Sequence, residues 1–172
     1  MDDDNTELTI DDEVAQMEAD ESQPEWQEWL DGIRSRMSTF LTATVPGMPQ
    51  PWWSNDALHH IEDVFARFFP DEDSLSNPDK FGIADQFVTY IGECFVRRAG
   101  GIWMNLPGEG QPLYESFGPG VFFGYSKDDI NCVESLASAA ESRDFGEVTG
   151  DMISHLVDYA HYLDVPSESI CE

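Results

Sequence analysis

The stretch YIGECFVRRAGGIW, residues 90 to 103, places Cys94 beside Glu93 and within four residues of Arg97 and Arg98. A thiol becomes a nucleophile when neighbouring cations lower its pKa and a base accepts its proton, so these are the residue types of a thiol site. No motif fixes a histidine partner for it. Each polar residue also has a structural post. Glu93 and Arg97 stand four apart in the favourable order for a helix-surface pair, and Arg97 and Arg98 fall in a last turn, where cations complement the helix dipole. Gly100 and Gly101 then permit a left-handed exit into a strand starting near Ile102. The thiol is accordingly read as a buried structural cysteine.

Metal chemistry has one candidate face. Asp151, His155 and Asp158 recur at i, i+4 and i+7, a spacing from which two or three ligands converge on one side of a helix. The apolar positions Val148, Met152, Leu156 and Leu163 are expected on the opposite side, which makes the Asp/His face a solvated one. His59 and His60 adjoin Glu62 and Asp63 without the H-E-x-x-H order of a zinc protease. The glycines of GEGQ and FGPGVFFG form neither a phosphate loop nor a dinucleotide fingerprint. No catalytic, metal-ligating or cofactor-binding residue is assigned, and no cofactor is expected.

The elements that would carry these residues follow from apolar period and caps. Pro24 suits a first helical turn, and Trp26, Trp29, Leu30, Ile33, Met37, Phe40 and Leu41 predict one amphipathic helix ending before Pro46. VPGMPQPWW is a proline-punctuated loop whose Trp52 and Trp53 either anchor a partner or pack on the core. Ser54 caps a second helix, stopped by Pro70, and Asn77-Pro78 opens a third that runs to Gly100. Between Gly101 and Tyr125, IWMNL, PLYESF and GVFFGY alternate with turn chemistry and predict three short antiparallel strands. A helix capped at Ser126 and a last one ending before Pro166 complete the chain. The expectation is an α+β domain over residues 23 to 172, of about five helices and a small three-stranded antiparallel sheet, after a disordered acidic tail over residues 1 to 22.

The charge narrows the partner. Among 172 residues, 35 acids oppose eight bases, for a formal charge of -27. Such a surface repels nucleic acid and anionic membrane, both of which are bound chiefly through Lys and Arg, so direct contact with either is not expected. Residues 1 to 25 hold eleven of the acids and no base, and the other 24 face all eight bases, a balance of -16. The body is therefore acidic in its own right, through either a basic partner or adaptation to salt. Cys94, Cys132 and Cys171 form an odd set without C-x-x-C spacing, and MDDDNTELTI lacks the basic and apolar regions of a signal peptide. A reducing cytoplasm is the expected location.

The order Y-x-G-E followed by R-R-x-G-G-x-W, at Tyr90, Gly92, Glu93, Arg97, Arg98, Gly100, Gly101 and Trp103, resembles a pattern in small bacterial proteins of immunity or accessory type. The resemblance implies a helix leading through Gly-Gly into a Trp-bearing strand, and a binding role. The candidate binding residues are Trp52, Trp53, Glu93, Arg97, Arg98 and Trp103. The expected function is a non-enzymatic acidic protein that neutralises a basic protein partner, such as a nuclease toxin. The alternatives are a DNA mimic that inhibits a nucleic-acid-binding protein, and a small hydrolase or metal-dependent enzyme using Cys94, His155 or carboxylates.

Overall fold

The computed structural model describes residues 9 to 170. Thr9 opens the first helix, α1 (Ile10–Glu21), through a reciprocal cap: its hydroxyl accepts from the Asp12 N–H at 3.3 Å, and its own N–H donates to the Asp12 carboxylate at 3.1 Å. The Thr9 hydroxyl also donates to that carboxylate at 2.7 Å, and this bond, followed by the backbone one, lowers the Asp12 carboxyl from its ordinary value. The tail expected to be disordered over residues 1 to 22 is thus helical from Ile10 to Glu21, while residues 1 to 8 lie outside the described ones. The composition argument was right about burial, because no residue of α1 is buried. It missed the local cap, and an anchor at the far end, where Asn105 binds both the Asp20 carbonyl and the Glu21 carboxylate.

The single helix expected from Pro24 is α2 (Pro24–Asp31) and α3 (Ile33–Thr39), followed by a π-helical turn at Phe40–Thr44. The break falls at Gly32, where a side chain would meet the Arg36 guanidinium, which folds back to bond the Trp29 carbonyl and cover the Trp29 ring at 4.3 Å. Trp26 and Trp29 stack at 5.3 Å on the buried side. Ser54 caps α4 (Asn55–Phe68), as its sequence predicts, by accepting from the Ala57 N–H. Two 3-10 turns, Glu72–Ser76 and Pro78–Lys80, then lead into α5 (Phe81–Ala99). This helix is buried nearly all round from Phe87 to Phe95 and serves as the hub of the core.

The sheet has antiparallel order β1 (Ile102–Asn105), β2 (Pro119–Phe123), β3 (Asp128–Asn131). The sheet corrects the sequence reading at one strand, which lies elsewhere than expected. PLYESF is not a strand: Leu113 and Tyr114 are neighbours and both buried, so the segment lacks the period-2 alternation of a half-buried strand and packs as a loop. The third strand is instead DDIN, where a helix capped by Ser126 was expected. It pairs Asp128 with Phe123 and Ile130 with Val121, and its exposed Asp128 and Asp129 place charge on the sheet edge. Asn131 is the actual cap of α6 (Cys132–Ser142), accepting from Val133 and Glu134 N–H groups. With α7 (Gly146–Leu163), the described residues contain seven α-helices rather than about five, the excess being α1 and the break at Gly32. The class is α+β, and one contiguous core runs from Trp26 to Leu156.

Candidate functional site

The α5–β1 corner gathers five of the six candidate binding residues. Gly92 is buried in α5 because the Trp103 ring lies against it: an added Cβ would stand 1.9 Å from the Trp103 Cη2. The Trp103 indole N–H donates to Glu93 at 2.9 Å, and the other Glu93 oxygen meets Arg97 at 3.7 Å. Arg97, about half exposed, lies over Trp52 at 4.8 Å and Trp53 at 5.3 Å, and those two indoles meet edge to face at 5.1 Å. The Tyr90 hydroxyl fixes the loop by donating to the Trp52 carbonyl at 2.7 Å. Arg98 is 7 % exposed and donates inward to Asn55. The corner is a latch joining helix, strand and proline loop, with Trp52 and Trp53 half-buried against the core.

Cys94 lies under this latch, fully buried. Burial pushes its thiol up to about 12, with the Tyr90 hydrogen bond and Arg98 acting in the opposite sense. Burial likewise raises the thiol of Cys132. Neither thiol meets the low-pKa, accessible condition of a nucleophile. Cys171 lies outside the described residues.

Sequence reasoning missed a second polar cluster. Asp85 accepts from the Trp29 indole N–H at 2.7 Å and the Tyr114 hydroxyl at 2.5 Å, and stands 3.5 Å from Arg36, which also donates to Thr89 at 2.8 Å. Burial, followed by Asp85, holds the Tyr114 phenol well above its ordinary value. The signal was present in part: buried Trp and Tyr need polar partners, and Asp85 and Thr89 lie one turn apart on α5. The cluster ties α2, α3 and the PLYESF loop to the hub helix.

The Asp151, His155 and Asp158 face is divided by the structure. His155 is 6 % exposed and stacks on Phe123 at 3.9 Å, because it stands three residues after Met152 and seven after Val148, on the apolar side. The expectation that it lies opposite that side is corrected. Its Nε2 is 4.0 Å from the Asp128 carboxylate, and its Nδ1 is buried without a hydrogen-bond partner among the described residues. Asp151 and Asp158 line separate hollows. His59, largely exposed, pairs with Glu62 at 2.8 Å. Among the described residues no group of three or more His, Cys, Asp or Glu is arranged to hold a metal ion.

Hollows among the described residues mark the surface. The first, about 240 Å³, is lined by Glu109, Asp129, Glu134, Glu147 and Asp151 with Asn131 and serines, and no Lys or Arg. Burial, then the nearby Glu147, raises the Asp151 carboxyl. Next to it, a hollow of about 440 Å³ shares Glu109, Asn131 and Glu134 and adds Glu72. The Asn131 amide bonds Glu109, which fixes the ridge between them. A third hollow, about 320 Å³, is lined by Tyr125, Ser126, Asp158, His161 and Tyr162. Comparison with protein-family models, curated proteins and solved structures gave no match. Among the described residues no helix is long and apolar enough to cross a membrane.

Proposed function

We propose that this chain is a non-enzymatic acidic binding protein that neutralises a basic protein partner, most concretely as an immunity or antitoxin-like inhibitor. The supporting observation is the pair of adjoining hollows, which bring Glu72, Glu109, Asp129, Glu134, Glu147 and Asp151 to one concave region with no cation in the lining. Clefts lined by one sign of charge focus the field and raise the encounter rate with oppositely charged partners. Lysine and arginine side chains entering there would offset the mutual repulsion of these carboxylates, which after burial is the second cause of the raised Asp151 carboxyl. The surface is built for charge contact, whereas the thiols are buried and the histidine face is split.

The test compares the native chain with a variant carrying Glu109→Gln, Asp129→Asn and Glu134→Gln, each immobilised and exposed to host lysate at low salt. A basic protein retained by the native chain and released by the variant is then purified, and its association rate is measured across a salt series. The reading expects that rate to fall steeply with salt for the native chain and to be lower, with a shallower slope, for the variant. Retention of the same proteins by both chains, or of none that is basic, counts against it. Competition by duplex DNA for the purified partner identifies the DNA-mimic form.

A further inference from the structure

The third hollow differs in chemistry from the acidic pair. Tyr125, in the turn after β2, donates its hydroxyl to the Ala99 carbonyl at 2.8 Å and lies 3.2 Å from the His155 carbonyl. These bonds satisfy a carbonyl left open at the end of α5 and prevent the ring from swinging. Tyr159 and Tyr162 stack on Tyr125 at 5.4 and 5.7 Å, with interplanar angles near 30°. Tyr162 is nevertheless 67 % exposed, so its packing on Tyr125 leaves most of the ring to solvent. Asp158 stands one helical turn before Tyr162, on the same side of α7, and lines the same hollow.

We propose that this hollow receives an arginine side chain of the basic protein partner, the guanidinium lying on the tyrosine faces and pairing with Asp158; the assignment rests on the basic-partner reading above. A tyrosine face attracts a cation through its quadrupole, and a carboxylate at its rim supplies acceptors in the plane of the guanidinium. Arginine fits better than lysine. Its planar group stacks on rings and gives up little hydration, whereas an ammonium is strongly hydrated and this hollow is open. Because the body of the protein already holds Tyr125, little ordering remains to be done when the ligand arrives.

The experiment titrates the full chain, with tyrosine rings carbon-13 labelled, with N-acetyl-arginine amide and separately with N-acetyl-lysine amide at low salt, following the ring resonances. Tyr162→Ala and Asp158→Asn remove the exposed ring and the carboxylate of the hollow, and Asp11→Asn removes the same charge from α1, outside it. The expected result is saturable shifts of Tyr125 and Tyr162 with arginine, affinity for lysine lower by roughly threefold or more, and a similar or larger loss in each hollow variant. Asp11→Asn should change the arginine affinity by less than about twofold. Equal affinity for the two ligands, unchanged arginine affinity in Tyr162→Ala, or an equal loss in Asp11→Asn overturns the proposal. The two readings fail separately. Arginine binding without any basic partner leaves the hollow assigned and removes the partner, whereas a basic partner bound equally by Tyr162→Ala removes the hollow alone.

Discussion

Gly92→Ala sets two effects of opposite sign against each other in the α5–β1 corner. In a helix interior alanine is favoured over glycine by about 1 kcal/mol. Here the new Cβ would stand 1.9 Å from the Trp103 Cη2 and 2.5 and 2.6 Å from its Cζ2 and Cζ3, against the roughly 3.5–4.0 Å of a normal carbon contact. The indole cannot move away freely, since its N–H is bonded to Glu93 and its edge rests on Trp29 at 5.0 Å. Overpacking costs about 1–3 kcal/mol, and loss of the Glu93 hydrogen bond adds about 1 kcal/mol. The clash therefore wins, with a net destabilisation of about 2 kcal/mol and a fall in Tm of roughly 4–8 °C. Urea unfolding and a thermal scan measure it, with Gly150→Ala as the matched control: Gly150 is an exposed glycine inside α7 with nothing within 4 Å of the added Cβ, so the control should gain about 1 kcal/mol. In a Trp103→Phe background, which lacks the ring atoms that reach Gly92, the penalty should largely vanish. Stabilisation of Gly92→Ala by as much as the Gly150 control would refute the account of the corner.

Asp85→Asn should cost about 2–3 kcal/mol in urea unfolding, because it leaves the Arg36 guanidinium without its carboxylate in a largely buried cluster. In a Cys171→Ser background, Ellman's reagent should find no reactive thiol in the folded protein and two after unfolding, since Cys94 and Cys132 are buried with raised pKa values. Asp151→Asn should raise Tm at pH 7. The folded state holds the Asp151 proton more tightly than the unfolded chain does, so its charge opposes folding above the raised pKa and is relieved as pH falls through it. The Tm advantage of the variant should accordingly shrink in the window just above the ordinary value of 3.8.

The sequence was legible where an apolar period and a cap agree. Ser54 opening α4 and Gly100 closing α5 are such cases, whereas Asn77-Pro78, expected to open that helix, caps a 3-10 turn and α5 itself begins at Phe81. It was not legible where a distant partner decides the local state. Asp128 to Asn131 have little intrinsic strand character and become β3 only because β2 offers an unpaired edge, which moves the helix cap from Ser126 to Asn131. Gly32 breaks a regular apolar period because Arg36 turns back onto Trp29. His155 joined a metal-like set by spacing while belonging to the buried side by phase. For Trp52, Trp53, Glu93, Arg97 and Trp103 the residue types were readable and their mutual contact was not, because it depends on the proline loop reaching the end of α5.

Charge is the feature least resolved by sequence, and the structure sorts it into places with different physics. The six acids of α1 sit on a helix with no buried residue, anchored only at its end, so they act through long-range field, which about 0.1 M salt screens within roughly 10 Å. The acids of the adjoining hollows are held by β3, α6 and α7, with Glu109 on the loop after β1 and Glu72 on a 3-10 turn; burial already acts on Asp151, and their effect at contact survives more salt. Asp158 acts at the shortest range, beside rings that favour one kind of cation. Deleting residues 1 to 19, which spares the Asp20 and Glu21 anchor to Asn105 and Trp26, should therefore slow association with a basic partner at low salt, leave dissociation nearly unchanged, and lose its effect as ionic strength rises. Rates measured across a salt series decide it. A truncation that speeds dissociation at every salt concentration would show instead that Ile10, Val14 and Met17, exposed along α1, form part of the contact itself.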